Sequence, residues 1–83
     1  MYKVKITARA DKEFKSITKK RQLPIGEVIE DLKGNPHAGK PLTRELTGKF
    51  SYRVGVFRII YKINEMEKTV YVLTIGHRSV VYK

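Results

Sequence analysis

The fold of this chain is decided by one stretch, Ser51-Tyr-Arg-Val-Gly-Val-Phe-Arg-Ile-Ile-Tyr-Lys-Ile63, and by the segment that follows it, Thr69-Val-Tyr-Val-Leu-Thr-Ile-Gly-His-Arg-Ser-Val-Val-Tyr-Lys83. Both are rich in β-branched and aromatic residues that alternate with polar ones, which is typical of strands. Gly55 and Asn64-Glu-Met-Glu67 supply the two turns. We therefore predict three consecutive antiparallel strands, at residues 50–55, 56–64 and 68–77.

The residues before these strands predict one more strand and two helices. Tyr2-Lys-Val-Lys-Ile-Thr7 alternates with period two and reads as the first strand. Thr7 is a candidate N-cap for a helix that ends near Lys20 or Arg21, because Ala10, Phe14 and Ile17 recur at helical spacing. Pro24 suits the first turn of a second helix, which carries an apolar face and stops before Gly34. The apolar residues of this face are Ile25, Val28, Ile29 and Leu32.

Residues 35–49 show little periodicity and predict an irregular connection, with a short extended piece around Leu42. Its length makes it a candidate binding loop. The element order is therefore β-α-α-β-β-β, in a single domain that spans residues 1–83. This order predicts an α+β fold in which a helical hairpin packs on one face of an antiparallel sheet.

The middle strand separates apolar from basic side chains. Period two places Phe57, Ile59, Tyr61 and Ile63 on one side, and Arg58, Ile60 and Lys62 on the other, so the first side is the richer in apolar residues. The apolar side should meet the helices, so Arg58 should project from the open face. Because the nearby acids Glu65 and Glu67 are confined to a turn, these cations suit a phosphate ligand.

Charge favours a polyanionic partner. The 83 residues include 18 Lys and Arg against 8 Asp and Glu, for a net charge of +10. Such a charge attracts nucleic acid above other partner classes, although an anionic membrane or an acidic protein remains an alternative. No segment has the apolar length of a bilayer span, and the N-terminus lacks a signal-peptide pattern. We expect a soluble, cytoplasmic protein without membrane attachment.

Metal and cofactor chemistry is not expected. The chain has no cysteine, so neither a disulfide nor a thiolate metal site can form. His37 stands alone in the connecting segment, without a second ligand at metal-binding spacing. Nor does the sequence contain a Ser/His/Asp triad, a phosphate-binding glycine loop or a nucleotide fingerprint.

Two separated segments, Leu46-Thr-Gly-Lys-Phe-Ser-Tyr-Arg-Val-Gly-Val-Phe-Arg-Ile-Ile-Tyr61 and Ile75-Gly-His-Arg-Ser-Val-Val-Tyr82, resemble the RelE branch of the RelE/ParE toxin superfamily. Element order, length and basicity agree along essentially the whole chain. The resemblance implies a toxin that a small antitoxin neutralises and that cuts messenger RNA, in well-studied members within the ribosomal A site. It also implies a metal-independent reaction in which the 2′-hydroxyl attacks the adjacent phosphate and leaves a 2′,3′-cyclic phosphate.

The resemblance also suggests which residues act. By motif position, Arg58 and Arg78 look like the phosphate-facing arginines, Tyr82 looks like the terminal catalytic tyrosine, and Arg53 takes the place of a basic residue in the preceding strand. Some members carry two lysines in that strand, whereas this chain has only Arg53 there. Lys49, just upstream, is a candidate to compensate. The spacing from Arg78 to Tyr82 is also shorter than in some members.

Transesterification needs a base, positive charge around the transition state and an acid for the leaving oxygen. Because the pKa of arginine lies above 12, proton movement falls to Tyr82, Lys49 or His77. We assign the base to Tyr82, transition-state stabilisation to Arg58 and Arg53, and leaving-group stabilisation to Arg78. For Arg78, the resemblance also implies general acid catalysis as an alternative role. His77 alternates with Arg78 and should point toward the core or its rim, where a structural role is the alternative.

Further RNA contacts and other functions remain open. Tyr52 is a candidate to stack on a base, and the basic residues of the first helix are candidates to follow phosphates of ribosomal RNA. These helical residues are Lys12, Lys15 and Lys19. One alternative function is a ParE-like inhibitor of DNA gyrase, which shares the fold but acts by binding protein. Another is a noncatalytic RNA-binding relative.

Overall fold

The structure, a computed structural model, describes residues 1–77, so the predicted site residues Arg78 and Tyr82 lie outside the described residues. The helices and strands are β1 (Lys3–Ile6), α1 (Ala8–Lys15), α2 (Lys19–Asp31), β2 (Lys40–Pro41), β3 (Lys49–Val54), β4 (Phe57–Asn64) and β5 (Thr69–His77). The predicted α+β architecture is confirmed. No helix among residues 1–77 is long and apolar enough to cross a membrane.

The five strands form one sheet in the order β1-β5-β4-β3-β2. Strands β3, β4 and β5 pair antiparallel, as predicted, and β2 is a short additional strand that pairs antiparallel with β3. Strand β1, however, pairs parallel with β5, so the sheet is not antiparallel throughout. The alternation of residues in β1 left its direction open, because no tight turn joins it to its neighbour.

The helical hairpin is confirmed, but α1 ends at Lys15 rather than near Lys20. The Ser16 hydroxyl donates to the Glu13 carbonyl at 2.7 Å. The Gln22 side-chain amide then donates to the carbonyls of Phe14 and Ile17, each at 2.9 Å. These bonds satisfy carbonyls that a longer helix would have used, and they come from a residue beyond the break. Helical spacing in the sequence gave no sign of this contact.

Helix α2 therefore begins at Lys19, and Pro24 is its sixth residue rather than part of its first turn. The preceding Thr18 is extended, with φ −60° and ψ 148°, which separates the two helices. Proline lacks an N–H, so the carbonyl one turn earlier receives no hydrogen bond from it. Lys19, Lys20 and Arg21, which we predicted to close the first helix, instead open the second.

The core lies between the two helices and one face of the sheet, as predicted. Within residues 1–77, nine buried residues form it: Ala10, Ile25, Ile29, Leu32, Ile59, Tyr61, Val70, Val72 and Ile75. Phe57 and Ile63 pack against this cluster, so the apolar side of β4 does face the helices. Burial of these side chains supplies the main force that holds the helical hairpin on the sheet.

Helix α1 also covers an exposed edge of β5. Strand β1 ends at Ile6, after which the Thr7 hydroxyl donates to the Leu73 carbonyl at 3.0 Å. The Glu13 carboxylate accepts from the backbone N–H of Ile75 at 3.1 Å and from the Thr74 hydroxyl at 2.7 Å. Side chains of the helix thus satisfy polar groups that the short first strand does not reach.

The buried hydroxyl of Tyr61 fixes the segment before β2. It donates to the Pro36 carbonyl at 2.7 Å and accepts from the Gly39 N–H at 2.9 Å. A β-carbon at Gly39 would lie only 2.5 Å from this hydroxyl oxygen, so the close approach requires glycine. The Tyr61 ring stacks on Phe50 with centroids 5.4 Å apart. The segment predicted as a connecting loop is therefore held by the core.

We expect Tyr61→Phe to destabilise the fold by roughly 1–3 kcal/mol, because it leaves the Gly39 N–H and the Pro36 carbonyl without their buried partner. Urea denaturation followed by circular dichroism measures this change. Tyr71→Phe is the control, since the Tyr71 hydroxyl bonds Glu67 at the surface and its loss should have a much smaller effect. Equal stability of Tyr61→Phe and the wild type would contradict the anchoring role.

Alkaline pH should also loosen this anchor. Burial raises the pKa of Tyr61 above 10.0, although the Gly39 hydrogen bond opposes the shift. A raised folded-state pKa contributes stability that is complete below the unfolded value and is lost as pH rises through the folded pKa. The free energy of unfolding should therefore fall above about pH 10 more steeply in the wild type than in Tyr61→Phe. Parallel pH curves for the two proteins would disprove this.

Candidate functional site

All the Lys and Arg residues on the described strands lie on one face of the sheet. Each of these residues is paired in register with a residue on the same face of the neighbouring strand. The residues next to it along its own strand point toward the helices. We call this surface the basic face. Its cations are Lys3, Lys5, Lys40, Lys49, Arg53, Arg58 and Lys62.

Acidic side chains lie outside the described strands. Asp11 and Glu13 pair with cations on α1, and Glu30 pairs with Lys33 just beyond α2. Glu65 and Glu67 lie in the turn after β4, where they accept hydrogen bonds from tyrosine hydroxyls. The basic face therefore has a strong positive potential, which favours an anion.

Two arginines of this surface stand directly opposite each other, near the turn that joins β3 to β4. Arg53 of β3 pairs in register with Arg58 of β4, which places their β-carbons about 4.5–5.5 Å apart. The half-buried Arg58 donates from Nη1 to the Ser51 hydroxyl at 3.3 Å. The exposed Arg53 donates from Nε to the Gly55 carbonyl at 3.3 Å. Like charges in this arrangement repel each other, and a bound anion between them would relieve that repulsion.

A shallow cleft lies beside the arginine pair. Its volume is about 470 Å³, and it is lined by Ala38, Gly39, Lys40, Ser51, Tyr52, Arg53 and Arg58. Lys40 of β2 faces Ser51 directly, and three cations, Lys40, Arg53 and Arg58, line the cleft together with the Ser51 side chain. Guanidinium and ammonium groups are the usual protein ligands of phosphate. We call this place the arginine cleft.

A larger groove of about 650 Å³ has a different character. It lies between α2 and the turn from β3 to β4, and its lining is mostly apolar, with Lys20 and Arg21 at α2. The Arg21 guanidinium lies over the Phe57 ring, 5.8 Å from its centroid. The groove is the larger concavity, but the arginine cleft has the charge that a phosphate needs. Within residues 1–77, no three His, Asp or Glu side chains come together as metal ligands.

The structure brings together only some of the predicted site residues. Arg53, Arg58 and Lys49 share the basic face, with Lys49 opposite Lys62. Tyr52 borders the cleft but belongs to the other side of β3, where it packs against the core. His77 faces Phe57 on the helix side, with ring centroids 6.2 Å apart, which confirms the direction that alternation predicted.

The predicted helical cations are far from this arrangement in the fold. Lys12 and Lys15 belong to α1, and Lys19 opens α2. Both helices cover the face of the sheet opposite the arginine cleft. Lys15 also pairs with Asp11 at 2.9 Å. The sequence did not single out Lys40 or Ser51, because the pairing of β2 with β3 is a long-range contact that local pattern does not report.

Comparison with known proteins identifies the family. Residues 4–82 match the family described as the ParE toxin of the type II toxin-antitoxin system parDE. The chain is similar to the toxin RelG of Mycobacterium tuberculosis, with 34% identity over 99% of this chain and 97% of the relative. It is also similar to the toxin RelE of the same organism, with 36% identity over 99% of this chain and 87% of the relative. The chain belongs to the RelE/ParE family of type II toxin-antitoxin toxins.

Solved structures agree with this assignment. The toxin-antitoxin complex RelBE2 from M. tuberculosis contains a chain with a TM-score of 0.86 and 35% identity, which covers 93% of this chain and 98% of the relative. The isolated RelE toxin of E. coli gives a TM-score of 0.80 at 19% identity, over 99% of this chain and 92% of the relative. The second likeness is one of fold alone.

The repulsion between Arg53 and Arg58 should lower the stability of the folded protein. Arg53→Gln should stabilise the protein at low ionic strength by about 0.5 kcal/mol, because it removes a like-charge cross-strand pair. The gain should shrink in 1 M salt, where the Debye length is about 3 Å. Lys15→Gln is the contrasting variant: it breaks the ion pair with Asp11 and should lower stability slightly. If Arg53→Gln were destabilising at low salt, the two arginines would not repel each other as described.

Proposed function

We propose that this toxin is a metal-independent endoribonuclease that cuts messenger RNA on the ribosome. The observation that carries the proposal is the Arg53–Arg58 pair, which stands on a sheet face whose strands hold no carboxylate. Such a surface suits the phosphate of a polynucleotide and can stabilise the extra negative charge that develops there during transesterification.

In the proposed reaction, the 2′-oxygen of a nucleotide forms a bond to the adjacent phosphorus, and the bond from phosphorus to the 5′-oxygen breaks. The 2′-hydroxyl gives its proton to a base, and the departing 5′-oxygen takes up a proton. We assign transition-state stabilisation to Arg58 and Arg53. Arg58 is the better fixed, because it is half-buried and bonded to Ser51.

The proton-transfer roles stay with residues that the sequence suggested. We propose Tyr82 as the base and Arg78 as the group that stabilises the leaving oxygen; both lie outside the described residues. Lys49 lies on the basic face and is the alternative proton carrier there. His77 is a weaker candidate, because its side chain belongs to the helix side of β5.

The proposed partners are a cognate antitoxin, messenger RNA and the ribosomal A site, in the cytoplasm. The similar M. tuberculosis structure is a toxin-antitoxin complex, which supports an antitoxin for this chain too. The net charge of +10 supports a polyanionic target. We propose neither a metal nor an organic cofactor.

A second candidate function is inhibition of DNA gyrase, because the matching family is described as the ParE toxin. Two observations favour RNA cleavage over it. The relatives at 34% and 36% identity are RelG and RelE toxins. The arginine cleft also supplies the concentrated positive charge that phosphate chemistry needs and that binding to a protein surface does not require.

Cleavage of programmed ribosomes tests the proposal. We expect the wild type to cut the messenger within a codon positioned in the A site, with cut sites mapped by primer extension and product ends carrying a 2′,3′-cyclic phosphate. Arg58→Ala should reduce the cleavage rate about 10²–10³-fold, as loss of a transition-state-stabilising group does elsewhere.

Lys20→Ala is the matched control, because it also removes one positive charge but lies on α2, away from the arginine cleft. It should cleave at nearly the wild-type rate. Circular dichroism of each variant verifies that folding is retained. Absence of cleavage by the wild type, together with trapped gyrase–DNA complexes, would overturn the proposal in favour of the second candidate. Full activity of Arg58→Ala would overturn the site assignment.

A further inference from the structure

We propose that Lys40 is a phosphate-binding residue of the arginine cleft and holds a backbone phosphate of the RNA strand beside Arg53 and Arg58. Lys40 lies in the segment that the sequence predicts as a loop. The proposal deepens the proposed function and rests on it, since RNA is the ligand. It adds a binding residue from a strand that forms only in the folded protein.

Lys40 lies close to Ser51, Arg53 and Arg58 in the sheet. Lys40 and Ser51 are directly paired across β2 and β3, and Ser51 in turn accepts the hydrogen bond from Arg58. Neighbouring strands are about 4.8 Å apart, so Lys40 stands two strands from Arg58 on the same face. Arg53 is two residues further along β3 than Ser51. These four side chains therefore occupy one corner of the sheet, and all of them line the cleft.

The backbone on both sides of Lys40 is held in place. The Gly39 N–H is bonded to the buried Tyr61 hydroxyl, and no β-carbon fits at Gly39. On the other side of Lys40, the ring of Pro41 restricts the backbone. The origin of the lysine side chain is thus fixed, and only its flexible stem has to be ordered when a phosphate binds. Pre-organisation of this kind lowers the entropic cost of binding.

Lys49 shares the basic face with Lys40 but lies at a different place on it. Lys49 is also on the basic face and was the candidate from sequence for an additional cation beside Arg53. It pairs with Lys62 rather than with Ser51, on the side of Ser51 away from Arg58. Lys49 does not line the arginine cleft, whereas Lys40 does. Lys40 therefore supplies the third positive charge at the cleft itself.

The test measures RNA binding and cleavage separately. Binding uses a short single-stranded RNA whose 2′-hydroxyls are methylated, so that it cannot be cut. Affinity is measured at several salt concentrations for the wild type, Lys40→Ala, Lys40→Arg and Lys20→Ala. The affinity falls as salt rises, and the slope of log affinity against log salt should be less steep by about 0.7 in Lys40→Ala, because one phosphate contact is lost. Lys40→Arg should keep the slope, and so should Lys20→Ala, which removes the same charge from α2.

Cleavage on programmed ribosomes gives the second readout. Lys40→Ala should cut about 10-fold or more slowly than the wild type at limiting ribosome concentration, because it loses one charge-assisted contact, and Lys40→Arg should recover most of the rate. If Lys40→Ala has the salt slope and the cleavage rate of the wild type while Arg58→Ala is impaired, the role of Lys40 is overturned and the proposed function stands. A wild type that binds the methylated RNA without cleaving overturns the proposed function alone, and the binding slopes then decide on Lys40. A wild type that neither binds nor cleaves overturns both.

Discussion

The buried hydroxyl of Tyr61 connects the core to the segment that borders the arginine cleft. Its ring packs among the residues that hold the helices to the sheet, and its oxygen bonds to Pro36 and Gly39. A buried hydroxyl requires hydrogen-bond partners, so the segment that supplies them must pass directly over the end of this ring. That path brings β2 alongside β3 and creates one wall of the arginine cleft. The core therefore shapes the site through a single polar group.

The sheet itself separates the two chemistries of the molecule. Side chains alternate across a strand, so the strands contribute most of their apolar residues to the helix side and their cations to the other, where Ile60 is also buried. Cross-strand pairing adds these contributions together, and the result is a surface with positive charges on all strands except β5 among the described residues. Repulsion within such a surface lowers stability. A bound anion would relieve this repulsion.

Three glutamates outside the strands form structural hydrogen bonds. Glu13 satisfies backbone and hydroxyl groups at the edge of β5, and Glu65 and Glu67 bind tyrosine hydroxyls around the turn after β4. Tyr71 is paired with Lys5 and Lys62 on the basic face, so Glu67 lowers the potential at that end of the face, whereas the Arg53–Arg58 pair lies at the other end of β4. The same distribution explains how a protein of this size combines a well-bonded framework with a concentrated patch of charge.

The sequence by itself determined the α+β class, the three antiparallel strands, the helical hairpin and the face of the sheet on which Arg58 stands. These follow from the alternation and periodicity of nearby residues, which act over a few positions of the chain. Tertiary structure decided the end of α1, the parallel pairing of β1 and the position of Lys40. Gln22, β5 and Tyr61 respectively fix these features through contacts between distant residues. Local pattern carries no information about such contacts, because they exist only after the core has packed.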